Sequence, residues 1–497
     1  MIESICILGG GTAGFMTAAV LSKLNFKVKC IYSSKIGIIG VGESTQTAIN
    51  DIFKFLEIKD EEWMPKCNAT YKSNIGFESW SEKGNQFFYP FEPIKQEKNA
   101  VSDFFELCAL FPDEINHNQF ARFASPSSRL AELNRLTKSG WDFDRDTAYH
   151  FDTHLLSKVL YDVGLKNGVE FIDDTYIEST HNNKGIEKIT CEETGDHYAE
   201  LFIDCTGFKS LLLGEEMKVP FEKYESMLNN RVVSCKVPYS NKEKQLKHYT
   251  NNVSMKNGWC WEIPLWDGMS LGYVHTLQFA SEEEIDQEFK EFVSSRYGVT
   301  PEIKTMKFNS GRRAEAWVKN VASVGLSFGF IEPLEATGLF SVITNIFRLL
   351  EILTKSSRIN AFDRKMFNHT VTLELDKQKT FVDMHYLAAH RCDTEYWDYV
   401  TNEVSHDWTK NNHNLSIEMT MFTRDYSNSY YGGLAYILAG NGYTPLSPGF
   451  IEGLKWDYNL PTVSAYKDRI LQHDREQNNL FETFPTTYEF LKKTIYK

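Results

Sequence analysis

Residues Ile5 to Leu8 form a short apolar run, followed at once by Gly9-Gly10-Gly11-Thr12-Ala13-Gly14 and then an apolar-periodic segment reaching about Leu24. A strand, a GxGxxG turn and a helix in that order predict a parallel α/β unit that binds a dinucleotide. Gly9 makes the tight turn, Gly11 admits the pyrophosphate with Thr12 and Ala13 at the helix start, and Gly14 lets helix and strand approach. The next strand, Lys27 to Tyr32, should end in an acid for the ribose. It ends in Tyr32-Ser33-Ser34, whose hydroxyls are weaker partners.

A second glycine-rich stretch, Gly40-Val41-Gly42-Glu43-Ser44-Thr45, precedes a helix expected to run to about Phe55. A flavin must have its ring held as well as its phosphates, so this loop favours FAD over a nicotinamide; the plainer reading is a capped helix start. Asp152 in Tyr149-His150-Phe151-Asp152 is expected to cap another helix. His150 and His154 lie four apart without a third ligand, so no metal site is expected. The strand Leu201 to Gly207 ends in small residues that suit close approach to a cofactor at Gly207. Cys205 within it reads as packing.

The chain has 497 residues and a formal charge of -14, which disfavours nucleic acid or an anionic membrane as partner. Nine cysteines without a CxxC pair suit a reduced, cytoplasmic protein. No apolar run approaches the roughly 18 residues of a membrane helix. A homo-oligomer is the default for a soluble enzyme.

Two stretches carry more specific chemistry. Gly258-Trp259-Cys260-Trp261-Glu262-Ile263-Pro264 reads as a strand flanked by strands at Arg231 to Pro238 and Leu271 to Phe279, with both indoles on one side. That wall is a core sheet or a channel lining. Ala69 to Trp80 reads as one strand containing Lys72, which by itself would be a solvated edge lysine. Glu332-Pro333-Leu334-Glu335-Ala336-Thr337-Gly338 leads into a helix expected from about Leu339 to Thr354. Thr337 and Gly338 fall where free N–H groups can hold an anion, and Glu335 where a helix dipole favours an acid.

Together GxGxxG, GVGES, the TYK strand, YHFD, DCTGF, GWxWxIP and EPLEATG resemble the flavin-dependent tryptophan halogenases from Gly9 to about Trp397. The resemblance implies that reduced FAD activates oxygen, and that halide (chloride, bromide or iodide) at Thr337 and Gly338 is oxidised to hypohalous acid. The acid travels a tunnel lined by Trp259, Trp261, Ile263 and Pro264 to Lys72. Lys72, helped by Glu335, then halogenates a small electron-rich aromatic of indole or phenol type. Leu326 and Leu339 join Gly9, Gly11, Thr12, Ala13, Gly14, Gly40, Gly42, Glu43, Ser44 and Gly207 in the implied cofactor set. Reduced flavin is expected from a separate NAD(P)H-dependent flavin reductase, since no reductase module is visible. Ala336 stands where the family commonly has serine, and past Trp397 the residues that clamp tryptophan have no match. The rival readings are an FAD-dependent aromatic monooxygenase and a non-catalytic FAD-binding protein.

The expected architecture is α/β: a Rossmann-like FAD-binding module over 1–372, an antiparallel substrate-side sheet inserted at about 220–310, and a mostly helical cap over 373–497.

Overall fold

The computed structural model describes residues 2–24, 26–37, 42–93, 100–356, 358–404, 429–442, 452–453 and 460–497. Gly40, Trp408, Tyr443 and Trp456 lie outside the described residues. The chain forms two compact units, each built from three separate segments of sequence. The first comprises 1–70, 148–231 and 306–379; the second comprises 71–147, 232–305 and 380–497.

In the first unit six strands are ordered 317–318, 321–323, 201–204, 4–8, 27–32 and 170–173. All neighbours from 321–323 onward run parallel. Such a sheet must be covered on its faces, and the central strands are accordingly apolar throughout, with Ile5, Cys6, Ile7, Leu201, Phe202 and Ile203 buried. Helix Thr153–Lys166 starts as expected, since Asp152 accepts bonds from the N–H groups of His154 and Leu155 at 3.0 and 3.2 Å. Helix Thr337–Lys355 buries Leu339, Val342, Ile343, Ile346, Leu349 and Leu353 along one side. The segment Leu334–Lys355 is long and apolar enough to cross a bilayer by composition; the buried stripe is what a core helix shows.

In the second unit the sheet expected around the tryptophans has seven strands, ordered 304–307, 231–237, 268–275, 258–265, 249–255, 74–78 and 86–90. Its last two strands come from far earlier in the chain, and Tyr249–Met255 runs parallel to Asn74–Glu78. The sheet is therefore neither wholly local nor wholly antiparallel. Two further expectations are shortened by local backbone. The strand expected from Ala69 to Trp80 is two, Thr70–Lys72 and Asn74–Glu78, separated at Ser73. The sequence pattern also predicts a helix over 128–138; the structure has Pro126–Leu133, ended by Asn134 in a left-handed conformation.

One face of this sheet carries Trp259 and Trp261; the opposite face carries Glu262, which is buried. Arg296, on helix Glu282–Tyr297, reaches Glu262 at 2.6 Å and Glu78 at 2.7 Å, while the Tyr297 hydroxyl and Asn251 donate to Glu262 at 2.6 and 2.7 Å. The buried Glu262 carboxylate is thus paired with an arginine that is itself exposed, and is hydrogen-bonded as well. Arg296→Met strips the cation from Glu262 and should cost about 1–3 kcal/mol of stability, below the figure for a fully buried pair because the arginine is solvated. Urea unfolding followed by tryptophan fluorescence measures this, and a loss below about 1 kcal/mol would mean the cluster behaves as a solvated surface pair.

Candidate active site

The dinucleotide cradle follows from three glycines. A Cβ on Gly9 would overlap the Cys205 carbonyl, and one on Gly14 would overlap the Gly9 carbonyl. Gly11, at φ 93°, ends the turn and offers helix Thr12–Ser22 no side-chain cap. First-turn N–H groups including those of Thr12 and Ala13 are therefore left to meet an anion. Asp204 builds the neighbouring turn, its carboxylate accepting from the N–H groups of Thr206, Leu212 and Leu213 at 3.0, 2.8 and 2.8 Å. Gly207 follows at φ 65°. Burial raises the Asp204 carboxyl above the usual range against the pull of those donors. Cys205 is buried and its thiol is pushed up by desolvation, the state of a packing residue rather than a nucleophile.

Gly42–Ser44 is a short strand rather than a turn, paired antiparallel with 150–152. Thr45 fixes its end, with its N–H and hydroxyl both on the Tyr149 carbonyl at 3.0 and 2.9 Å. Glu43 is half-buried, and desolvation lifts its carboxyl to about 7. The turn Gly325–Ser327, which contains Leu326, joins the two helix starts. A Cβ on Gly325 would meet Val342 and Ala13 at 2.9 and 3.3 Å, so both helices approach this turn. Leu339 is buried in the first turn of the later helix. Tyr32 supplies no acid; its ring sits edge-on against Phe15, Tyr161 and Phe171. Its register partner on the neighbouring strand is Asp173, which accepts from the Ser34 N–H at 2.8 Å.

The EPLEATG stretch forms the turn before helix Thr337–Lys355 and the start of that helix. Glu335 (φ 67°) and Ala336 (φ 54°) are consecutive non-glycine residues in the left-handed region. Each such residue costs about 1 kcal/mol or more, so surrounding bonds must hold the pair. Glu332 is buried and accepts from Asn229 at 3.0 Å, the Thr337 hydroxyl donates to the Glu332 carbonyl at 3.3 Å, and Gln46 donates to the Glu335 carbonyl at 2.7 Å. Ala336, the N-cap, has no side-chain oxygen to occupy the first-turn N–H groups. Glu335 itself is 3% exposed, and a Cβ on Gly338 would have only Phe330 near it, at 3.7 Å. The turn thus places a buried carboxyl group immediately before the N-terminus of a long helix whose uncapped first-turn N–H groups suit a small anion.

In the second unit Lys72 is 1% exposed, contrary to an edge lysine. Its ammonium lies 4.9 Å from the centre of the Phe91 ring. Phe91 is placed there by its own N–H, which bonds the Ser73 carbonyl at 3.1 Å. Ser73 in turn bonds His248, hydroxyl to Nδ1 at 2.7 Å and N–H to carbonyl at 2.9 Å. Trp259 and Trp261 are buried on one face, as the period of two predicts, with ring centres 6.3 Å apart. Trp261 lies flat over its register partner Gly272, where any Cβ would strike the indole. Its N–H is buried without a partner among the described residues. Ile263 and Pro264 continue the strand, both buried. Gln46, Phe91 and Asp173 were not singled out from sequence. Gln46 directly follows the GES-Thr run, and that adjacency was its only local signal.

A GxGxxG cradle with an uncapped helix start behind it, and a second uncapped helix start carrying a buried carboxylate, define a dinucleotide-dependent enzyme of the mixed α/β class. The family model described as tryptophan halogenase matches residues 4–448. The 7-chloro-L-tryptophan 6-halogenase KtzR of Kutzneria sp. (strain 744) is 34% identical over 79% of this chain and 80% of its own length. The apo structure of VirX1 superposes with a TM-score of 0.93 at 34% identity, covering 100% of both chains. Tar14, a tryptophan C-6 flavin-dependent halogenase from taromycin biosynthesis, superposes with a TM-score of 0.85 at 28% identity over 98% of this chain and 99% of its own. The chain belongs to the tryptophan halogenase family and is a flavin-dependent halogenase.

Glu43 generates a pH test. With a folded value of about 7 against an ordinary 4.5, the folded protein holds a proton that the unfolded chain has released. The cost is absent below pH 4.5, grows as pH rises from 4.5 to 7, and is constant above. For the flavin-free protein, Glu43→Gln should therefore gain about 1–3 kcal/mol over the parent across that window and hold the gain above it. Paired thermal melts at pH 5 and 8 measure this; a difference that does not change with pH contradicts the assignment.

Proposed function

We propose that this enzyme oxidises halide with reduced FAD and oxygen and transfers the halogen to a small electron-rich aromatic at Lys72 and Glu335. The observation that carries the reading is the burial of Lys72. A lysine inside the protein, with its ammonium on an aromatic face, is not there for solubility, and a monooxygenase working beside its flavin has no use for it.

The uncapped helix start behind Gly11 suits the FAD pyrophosphate, with Thr12 and Ala13 at that end; Gly9 and Gly14 let turn, strand and helix pack closely, and Gly42, Glu43, Ser44, Gly207, Leu326 and Leu339 are assigned to the rest of the cofactor. Bound and reduced, FAD would supply two electrons and two protons, so that oxygen, halide and one further proton give hypohalous acid and water. The residues of the chain do the rest. Thr337 and Gly338 hold the halide on first-turn N–H groups, where the helix dipole favours negative charge. Trp259, Trp261, Ile263 and Pro264 wall the passage of the oxidant and keep the aromatic from the flavin; the Trp261 N–H gives that wall a hydrogen-bond donor.

Lys72 acts in one of two balanced ways. As an ammonium it donates to the oxygen of the oxidant, and the ring takes the halogen as water leaves. As a free amine it forms an N–halogen bond with loss of water, then passes the halogen to the ring and recovers its proton. In either case Glu335 stabilises the cationic ring and accepts its proton. Reduced flavin comes from a separate NAD(P)H-dependent reductase in the cytoplasm. The substrate class is an indole or a phenol.

Reconstitution with FAD, a flavin reductase, NADH, oxygen and chloride, bromide or iodide tests the reading on indole, tryptophan and phenol, with mass spectrometry as readout. Lys72→Ala should lower halogenated product by at least about 10²-fold while flavin reoxidation continues, and Glu335→Gln by about 10- to 100-fold. An oxygenated product that persists in Lys72→Ala would make the enzyme a monooxygenase instead. Bound, reducible FAD with no product from any halide would favour the non-catalytic reading.

A further inference from the structure

The bond from Gln46 to the Glu335 carbonyl joins positions 289 residues apart and ends on the one peptide, among the described residues, whose flanking residues are both left-handed. We propose that Gln46 is a positioning residue that sets the conformation of the Glu335–Ala336 turn and thereby the aim of the Glu335 carboxylate. The inference rests on the role proposed above for Glu335.

The argument begins with what the turn would do alone. Neither residue is glycine, so each is drawn toward negative φ. Relaxation of either would carry the Glu335 carbonyl away from its donor and swing the Cα–Cβ direction of the side chain. Both ends of the peptide between them are held: the oxygen by Gln46 at 2.7 Å, and the Ala336 N–H by the Pro333 carbonyl at 3.2 Å. The second of these is local and moves with the turn. Gln46 is external to it, so it alone of the two refers the turn to a fixed frame.

That frame is stiff. Gln46 directly follows Thr45, whose N–H and hydroxyl both bond the Tyr149 carbonyl, and whose hydroxyl in turn accepts from the Tyr149 N–H at 3.0 Å. The strand Gly42–Ser44 before it is paired with 150–152. A carboxamide is also the suitable group: its N–H₂ donates without adding charge near a carboxylate, whereas lysine would compete for Glu335 as an ion pair. The simpler account is that Gln46 only satisfies a partly buried carbonyl at a helix start. The two accounts differ in what a repaired turn should restore.

The test uses the full-length enzyme loaded with FAD, with indole, bromide and a flavin reductase, and measures brominated indole together with hypobromous acid that escapes to a diffusible thioether trap. Gln46→Leu is expected to lower kcat about tenfold and raise the ratio of trapped oxidant to brominated indole several-fold, with FAD affinity within about twofold of the parent. A smaller folded fraction would lower turnover but leave that ratio unchanged. Ala336→Gly in the Gln46→Leu background removes the left-handed penalty at one of the two residues and should recover at least about a third of the lost kcat. If Gln46→Leu does not retain FAD, Gln46→Met, of matching length, takes its place. A Gln46 variant within about twofold of the parent in both kcat and escape ratio, while Glu335→Gln collapses turnover, overturns the inference alone. Full turnover in Glu335→Gln overturns the role of Glu335 and the inference with it.

Discussion

Two consecutive left-handed residues, Glu335 and Ala336, are the constraint on which the helix start proposed to hold halide depends. They turn the chain abruptly into helix Thr337–Lys355, so the helix starts without a side-chain cap and the buried Glu335 falls immediately before it. A relaxed backbone would continue the short 3-10 turn at Leu334 into the helix and lose the sharp presentation of first-turn N–H groups. The conformation is unfavourable locally and is maintained by bonds from Gln46, the Thr337 hydroxyl and the Glu332 region. Strain held by distant side chains is common where a site must keep one geometry.

The parts of this structure that were legible in the sequence are those whose causes are local. Gly9, Gly11 and Gly14 are readable because only glycine tolerates the carbonyl contacts and positive φ found there. Asp152 is readable because a cap acts on residues two and three positions on, and the common face of Trp259 and Trp261 because strands alternate. What was not legible depends on residues far away. Nothing in Asn74–Glu78 announces that its partner will be the parallel strand Tyr249–Met255, and so the tryptophan sheet was assigned too few strands. Each unit draws on three separate segments of sequence, which no local signal announces. The left-handed turn at Glu335 was invisible because neither residue there is glycine, and local propensity argues against what tertiary bonds impose. Tyr32 offers no acid at the end of its strand; its register partner on the neighbouring strand is Asp173, which accepts from the Ser34 N–H.

Lys72 and the tryptophan pair show how a plain structural reading and a functional one combine. Both indoles are core residues by burial, and Trp261 is locked against Gly272, so the wall is rigid whatever passes along it. Its opposite face is held by Glu262 and Arg296, which fastens the strand to a helix behind it. Lys72 is seated by a chain of contacts from Ser73 to His248 and to Phe91, none of which requires a ligand. In the proposed mechanism these groups are preorganised: the oxidant and the aromatic meet side chains already in place, and little reorganisation accompanies the transfer.

The central claim is that halide is held by the helix start that the Glu335–Ala336 turn creates. Anomalous diffraction from crystals grown in bromide tests it most directly. A bromide peak within about 3.5 Å of the Thr337 and Gly338 nitrogens is the result this account predicts. An enzyme that brominates in solution yet shows bromide ordered elsewhere, with that helix start vacant, would contradict it.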